Sequence, residues 1–155
     1  MLDSTSLLTK KSMHLHSVLS KAFKSISDHS VAGIKAAGFN PTAFAVMEVL
    51  YHRGPQPIQQ IGAKLLLQSG NVTYVIDKLE SKGYLFRHPC PQDRRIIHAE
   101  LTTEGRKVMD SIYPSYTQQI DRAYSGISSE EMDQLIILLK KLGRSAEGLS
   151  SSTHK

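Results

Sequence analysis

The spacing of apolar residues changes after Gly83, and this change constrains the fold more than any other feature of the chain. Before it, apolar residues recur every three, four or seven positions, the pattern of amphipathic helices. After it, residues 84–86 and 96–101 form two strand-like runs around a polar, turn-rich segment. Helical spacing then returns and continues to Leu142. The sequence therefore predicts a mainly α-helical protein with one small β-hairpin.

Residues that begin or end helices divide the helical part of the chain. Asn40 followed by Pro41 predicts an N-cap and a first helical residue, and Gly54 ends that helix. Ser128 and Glu131 predict a capping box before the last helix. The segment 33–38 is predicted to break the first helix, and residues 148–155 are predicted to form a disordered tail. The remaining predicted helices are 7–32, 58–66, 69–82 and one that begins at Thr102 or Thr103.

Composition sets the protein class. The 155 residues, with 40% hydrophobic and 21% charged residues, predict one compact unit with its own core. Cys90 is the single cysteine and cannot form an internal disulfide, so we expect a reducing, cytoplasmic location. The sequence shows neither a signal peptide nor a stretch long enough to cross a membrane. No membrane partner is expected.

The excess positive charge lies in the middle of the chain, where the helix-to-hairpin change occurs, and in the N-terminal third. The chain has a net charge of +5, and residues 57–98 contain six basic and three acidic residues. Such an excess suits a polyanionic partner, although many basic proteins bind no nucleic acid. The charge therefore favours a nucleic-acid surface only in combination with the predicted elements around it.

The order of predicted elements is that of a winged helix-turn-helix. This fold places one helix in the DNA major groove and a hairpin loop in the neighbouring minor groove. If Val72, Ile76 and Leu79 of the 69–82 helix face inward, the remaining surface can bind bases and phosphates, but a polar surface is also normal for any exposed helix. The predicted outward residues are Ser69, Gly70, Asn71, Thr73, Tyr74, Asp77 and Lys78.

The predicted hairpin tip strengthens this interpretation. Asp93, Arg94 and Arg95 place two guanidinium groups beside one carboxylate. One arginine can pair with Asp93 while the other stays free for a phosphate or a narrow minor groove. We predict Arg95 as the partner of Asp93 and Arg94 as the outward side chain. A solvated charge cluster is the alternative, and its coincidence with the helix-turn-helix order disfavours it.

Over residues 15–144 the chain resembles the MarR family of bacterial transcriptional regulators. The resemblance implies a homodimer built by the N- and C-terminal helices, a wing arginine in the minor groove and a palindromic operator read by two recognition helices. It also implies repression that small phenolic or other aromatic ligands, or oxidants, relieve. The segments that carry it are Ile61-Gly62-Ala63-Lys64, Ser69-Gly70-Asn71-Val72-Thr73, Leu79-Glu80-Ser81-Lys82-Gly83-Tyr84-Leu85, and Asp93-Arg94-Arg95 followed by Leu101-Thr102-Thr103-Glu104-Gly105.

Hydrophobic patterning supports a dimer independently of the resemblance. The first and last helices have apolar stripes wider than one small winged domain can cover. We therefore assign residues 8–32 and 104–145 to dimerisation and residues 38–102 to DNA binding, within one MarR-type domain spanning residues 1–155. The leading interpretation is a ligand-responsive, operator-binding repressor with double-stranded DNA as its partner.

An effector site is predicted in the crevice between the long helices and the winged region, where MarR relatives bind aromatic compounds. Each candidate residue also fits ordinary core or interface packing. The candidates are His14, Phe23, Phe44, Met47 and Tyr113.

Two other interpretations stay open. Cys90 lies beside two prolines, close to Arg87 and His88, which allows a redox-sensing regulator, although an incidental, partly exposed cysteine is the favoured explanation. The winged region could also bind an acidic protein surface instead of DNA. No cofactor is predicted. No metal site is predicted either, because the closest pair of histidines, His14 and His16, would point about 200° apart on a helix and could not both bind one ion. No sequence motif of a hydrolase, a nucleotide-binding loop or a metalloprotease is present, so an enzyme is not expected.

Overall fold

The computed structural model describes residues 4–151, and the side chains of residues 6–149. The chain forms two compact units, one up to Ile120 and one from Asp121, which are described separately. The elements of the described chain are α1 (Ser4–Ala36), α2 (Pro41–Arg53), β1 (Gln56–Pro57), α3 (Ile58–Lys64), α4 (Ser69–Ser81), β2 (Leu85–Pro89), β3 (Ile97–Leu101), α5 (Thr103–Tyr124) and α6 (Ser129–Ser151). The winged helix-turn-helix order predicted from the sequence is confirmed.

The core of the first unit is built mainly from α2, α4 and the sheet. Burial of apolar side chains is the dominant force holding such elements together. α3 adds Ile61, α5 adds Met109 and α1 adds Ile34. The other core residues, all at most 7% exposed, are Phe44, Val46, Met47, Leu50, Val72, Ile76, Leu79, Leu85, Ala99 and Leu101.

Two of the predicted helix ends are confirmed by their hydrogen bonds. The Asn40 side chain accepts from the Thr42 amide at 2.8 Å, and Pro41 is the first residue of α2. At the other end Gly54 has a φ of 71°, in the region that favours glycine. Before α6, the Glu131 carboxylate accepts from the Ser128 amide at 2.7 Å while the Ser128 hydroxyl accepts from the Glu131 amide at 3.2 Å. This is the predicted capping box.

The sheet has three antiparallel strands in the order β1-β3-β2. In the predicted hairpin, β2 and β3 pair from Leu85 opposite Leu101 to Pro89 opposite Ile97, and residues 90–96 form the wing loop between them. β2 extends to Pro89, beyond the predicted end at residue 86, because pairing with β3 continues through residues that resemble a turn in sequence. β1 was not predicted, since a two-residue strand containing Pro57 has no alternation to detect.

Two predictions for the long helices are wrong. α1 continues through Gly33 to Ala36, because Gly33 lies against α5: a Cβ there would be 2.0 Å from the Gln119 side-chain oxygen. The chain leaves the helical conformation instead at Gly38, where φ is 82°. α6 continues to Ser151, so residues 148–151 are helical rather than disordered. The rest of the predicted tail, residues 152–155, lies outside the described residues.

The start of α5 explains the Leu-Thr-x-x-Gly motif. The Thr102 hydroxyl donates to the Gly83 carbonyl at 2.6 Å and accepts from the Gly105 amide at 3.0 Å, so it caps α5 and ties it to the turn before β2. Gly105 packs against the backbone, since a Cβ there would lie 1.9 Å from the Tyr84 carbonyl oxygen. The Thr102 amide donates to that same oxygen at 3.0 Å and holds it in place. The motif is therefore structural.

We predict that Gly105→Ala lowers the free energy of unfolding by about 1–3 kcal/mol, because the added methyl group must displace a fixed backbone carbonyl. Urea unfolding at one protein concentration measures it. Gly70→Ala is the matched control: a Cβ at Gly70 has no heavy atom within 4 Å, and alanine in a helix leaves stability unchanged or raises it by up to about 1 kcal/mol. An unchanged urea midpoint for Gly105→Ala would contradict the close packing.

Candidate nucleic-acid interface

α4 presents a polar face on the side opposite its buried face. The predicted inward residues Val72, Ile76 and Leu79 are at most 2% exposed. The helix therefore has one fixed orientation, because turning it would expose these side chains to water. The predicted outward residues are all exposed: Ser69, Gly70, Asn71, Thr73, Tyr74, Asp77 and Lys78.

The outward face has the chemistry of a groove-binding surface. The Tyr74 side chain is 62% exposed, and the Lys78 ammonium lies 5.5 Å from the centre of its ring. The amide of Asn71 can both donate to and accept from a base edge, and the hydroxyls of Thr73 and Tyr74 can bind phosphate. At the N-terminus of α4, Gln68 provides no side-chain capping bond. Backbone N–H groups there remain available to an anion.

A crevice lies on each side of α4. One has a volume of about 390 Å³ and separates α4 from the start of α2, with Asn40, Asn71, Lys78 and Lys82 among its lining residues. The other has a volume of about 500 Å³ and separates α4 from α3 and the wing loop, with Ser69, Thr73 and Arg95 in its lining. Open space beside an exposed helix face suits a helix that enters a major groove.

The wing tip has the arrangement predicted for its two arginines. Arg95 binds Asp93 in a bidentate manner, from Nε to Oδ1 and from Nη2 to Oδ2, both at 3.0 Å. The Arg95 amide also donates to Asp93 Oδ1 at 3.1 Å. Arg94 is exposed and forms no ion pair with any residue that the structure describes. Arg95 thus stiffens the loop and Arg94 keeps a free guanidinium group.

The hydrogen bonds from Arg95 keep the Asp93 carboxylate charged. Hydrogen bonds from the Arg95 side chain, followed by its backbone amide, lower the pKa of the Asp93 carboxyl below its usual value. The ion pair is therefore maintained at neutral pH and is lost only as the pH falls through the lowered pKa of Asp93.

A second ionic cluster joins the wing to α4, and sequence reasoning missed it. Arg87 of β2 forms ion pairs with Asp77 and Glu80, while its amide donates to Glu80 Oε1 at 3.0 Å. Partial burial lowers the pKa of the Arg87 guanidinium, but hydrogen bonds to the two carboxylates outweigh burial and raise it. Asp77, predicted only as an outward groove residue, is therefore also a partner of the wing. Asp77 and Glu80 are three positions apart and therefore share one face of the helix, which was the signal in the sequence for a common basic partner.

The structure does not unite the five effector-site candidates in one cavity. Phe44 and Met47 are 1% and 0% exposed and belong to the core. Phe23 is 72% exposed on α1, and His14 is exposed on the same helix. Tyr113 is half-buried in an aromatic cluster with Tyr51, His52 and Tyr116, with ring centres 4.9–5.9 Å apart. None of the five lines either crevice beside α4.

The Tyr113 neighbourhood is partly shielded from water. Burial, followed by the charge of Glu48, raises the pKa of the Tyr113 hydroxyl. Burial also raises the pKa of Glu48, with His52 opposing it. Tyr51 donates to Asp110 at 2.6 Å, which links α2 to α5. This cluster is a polar and aromatic seam between two helices.

Cys90 is more enclosed than the sequence suggested. Its side chain is 8% exposed at the base of the wing loop, and its thiol donates to Gln92 Oε1 at 3.0 Å.

Among residues 4–151, no three histidine, cysteine, aspartate or glutamate side chains are placed to hold a metal ion. No helix in the described part of the chain is long and apolar enough to cross a membrane.

Comparison with known proteins identifies the family. The MarR family model matches residues 39–97, which run from the start of α2 into β3. The regulator YkoM of Bacillus subtilis is 56% identical over 134 residues, 86% of this chain and 87% of that protein. MhqR of Bacillus subtilis, also an HTH-type transcriptional regulator, is 46% identical over 140 residues, 90% of this chain and 97% of that protein.

A solved structure shares the fold. The crystal structure of a MarR mutant from E. coli complexed with operator DNA aligns with a TM-score of 0.75 and 20% identity, covering 87% of this chain and 97% of that one. The fold, the family model and the two Bacillus relatives agree: the chain belongs to the MarR family of winged helix-turn-helix transcriptional regulators.

Proposed function

We propose that this protein is a repressor that binds a palindromic operator as a homodimer. The observation that carries the proposal is the pairing of two free surfaces on one rigid core: the polar face of α4 and the unpaired Arg94 of the wing. α4 would enter a major groove, with Asn71 reading base edges, and Arg94 would enter the adjacent minor groove. The operator-bound structure of the E. coli relative supports duplex DNA as the ligand.

A homodimer is supported by exposed apolar surface on two helices. Large exposed hydrophobic patches on soluble proteins mark interaction sites. A twofold dimer would bring two copies of α4 to successive turns of a palindromic site. The side chains concerned are Leu7, Leu8, Met13, Leu15, Val18, Leu19 and Phe23 of α1, and Leu135, Ile136, Ile137, Leu138, Leu139, Leu142 and Leu149 of α6.

A small aromatic or phenolic effector is the proposed signal that lowers operator affinity. Of the five candidate residues, Tyr113 has the best-supported position, in the half-buried aromatic seam between α2 and α5. Aromatic rings and a few convergent polar groups are typical of small-molecule sites. An effector bound there would change the separation of the two recognition helices in the dimer. Titration of phenolic compounds into the protein–DNA complex, followed by fluorescence anisotropy, tests this part.

We predict that Arg94→Ala weakens binding to all duplexes by about 1–3 kcal/mol and reduces the slope of log affinity against log salt by about one per chain, because a phosphate or minor-groove contact is lost. Anisotropy titrations would use the duplex upstream of the gene for this chain and a scrambled duplex of equal length. Lys107→Met, which removes one exposed charge from α5, is the control. Equal losses for both variants would contradict a specific wing contact.

We predict that Asn71→Ala reduces mainly the discrimination between the upstream and scrambled duplexes, because a base contact rather than a phosphate contact is lost. The ratio of the two dissociation constants is the measured quantity. Absence of salt-dependent binding to either duplex by the unmodified protein would instead favour a winged helix that binds an acidic protein.

We predict that Gly70→Ala lowers operator affinity while stability stays equal or rises. The free protein has open space around Gly70, so a methyl group there meets nothing until a DNA backbone approaches. Anisotropy and urea unfolding on the same preparation separate the two effects. Wild-type affinity for this variant would show that this turn of α4 stays away from the DNA.

A further inference from the structure

Arg87 joins the two proposed DNA-contacting elements from a position between them. Its side chain is 25% exposed and reaches from β2 to two carboxylates one turn apart on α4, Asp77 and Glu80. Its amide contacts Glu80 as well, so the strand and the side chain hold the same helix. With both ends of its guanidinium group engaged, Arg87 is not available to a phosphate.

The wing has few other ties to α4 near its tip. The strands are anchored by Leu85 and Leu101 at their base and by Ala99 opposite Arg87, all at most 7% exposed, and β3 also pairs with β1 at Ala99. Towards the tip, the crevice of about 500 Å³ separates the wing loop from the N-terminal half of α4. Across this crevice no hydrogen bond or ion pair joins residues 90–96 to α4 among the described residues. Arg87 pairs with Ala99 in the third of the five hairpin pairs, at the outer end of the packed part of the wing.

α4 itself does not depend on this link. Its buried face is held by Val72, Ile76 and Leu79, each at most 2% exposed. A helix anchored by such packing keeps its place when a partly exposed ion pair at its surface is removed, because the apolar contacts contribute more to its stability. Loss of Arg87 should therefore move the wing rather than the helix.

From these observations we infer that Arg87 is a positioning residue for DNA binding: it sets the wing against α4 so that Arg94 and the recognition helix contact the duplex together. The inference rests on the proposed function for its role, but the clamp itself is a property of the free protein. Arg87→Met removes both ion pairs and keeps most of the apolar stem.

The first test is hydrogen exchange of the free protein, which needs no DNA. In Arg87→Met, exchange should accelerate about tenfold at the wing-loop amides of Cys90 and Ile96, which donate to Ile96 and Asp93 carbonyls. Exchange at the Val72 and Ile76 amides of α4 should not change. Unchanged wing exchange, or equal acceleration in the wing and α4, would overturn the clamp whatever the DNA result.

The second test is a pair of double-mutant cycles with the upstream duplex. In the wild-type background Arg94→Ala should weaken binding by about 5- to 150-fold. In the Arg87→Met background its effect should fall below about threefold, because a displaced wing no longer delivers Arg94. Asn71→Ala should cost the same factor in both backgrounds, since α4 has not moved. An Arg94 effect of equal size in both backgrounds would overturn the positioning role.

In Arg87→Met the carboxylates of Asp77 and Glu80 lose their partner and would repel DNA. A third variant distinguishes this repulsion from displacement of the wing. Arg87→Met combined with Asp77→Asn and Glu80→Gln removes the repulsion but not the displacement, so the Arg94 effect should remain small. Its return to the wild-type factor would assign the loss to charge and overturn the inference. If the unmodified protein binds no duplex while the exchange result holds, the clamp stands and the proposed function fails.

Discussion

Burial of one face of α4 is the interaction on which the rest of the structure depends. Val72, Ile76 and Leu79 are removed from water together with the core residues of α2 and the sheet. Full burial of such a side chain contributes about 1.5–3 kcal/mol, more than any of the exposed ion pairs nearby. Because the helical period is fixed, burial of this stripe determines which residues face outward. The residues on the outer face are not needed for packing, so their side chains can be suited to binding.

The wing is positioned by different forces from those that hold the helix. Its base is packed into the core, but its outer part relies on ion pairs and hydrogen bonds, including Asp93 with Arg95 and Arg87 with α4. Exposed polar links of this kind give direction and register but little stability. The contact between wing and DNA can therefore be adjusted without a large effect on the free energy of unfolding.

Much of the fold could be predicted because its signals are local. The cap at Asn40, the stop at Gly54 and the capping box at Ser128 each depend on a few adjacent residues, and the structure shows all three. The same is true of the inward stripe of α4 and of the bidentate pair at the wing tip. Helical periodicity and side-chain reach sufficed for these predictions.

The errors arose where distant contacts decide. Gly33 reads as a helix breaker, but its lack of a side chain makes room for Gln119 of α5. β1 exists only because β3 provides a partner some forty positions later in the chain. Arg87 pairs with carboxylates on another element, and no local pattern specifies that distance. Each prediction would require knowing which surfaces pack together in the folded protein, and local patterns in a single sequence do not specify this.

Several departures from local rules lie at the proposed DNA surface. Leu66, in the turn before α4, has a φ of 54° and is 93% exposed, although leucine in this region costs about 1 kcal/mol or more. The next helix starts without a side-chain cap, and Arg94 has no partner within the described chain. The core shows no such departures: among its described residues no polar or charged one is buried. Strain and unpaired groups at one surface are what a site completed by a polyanion would show.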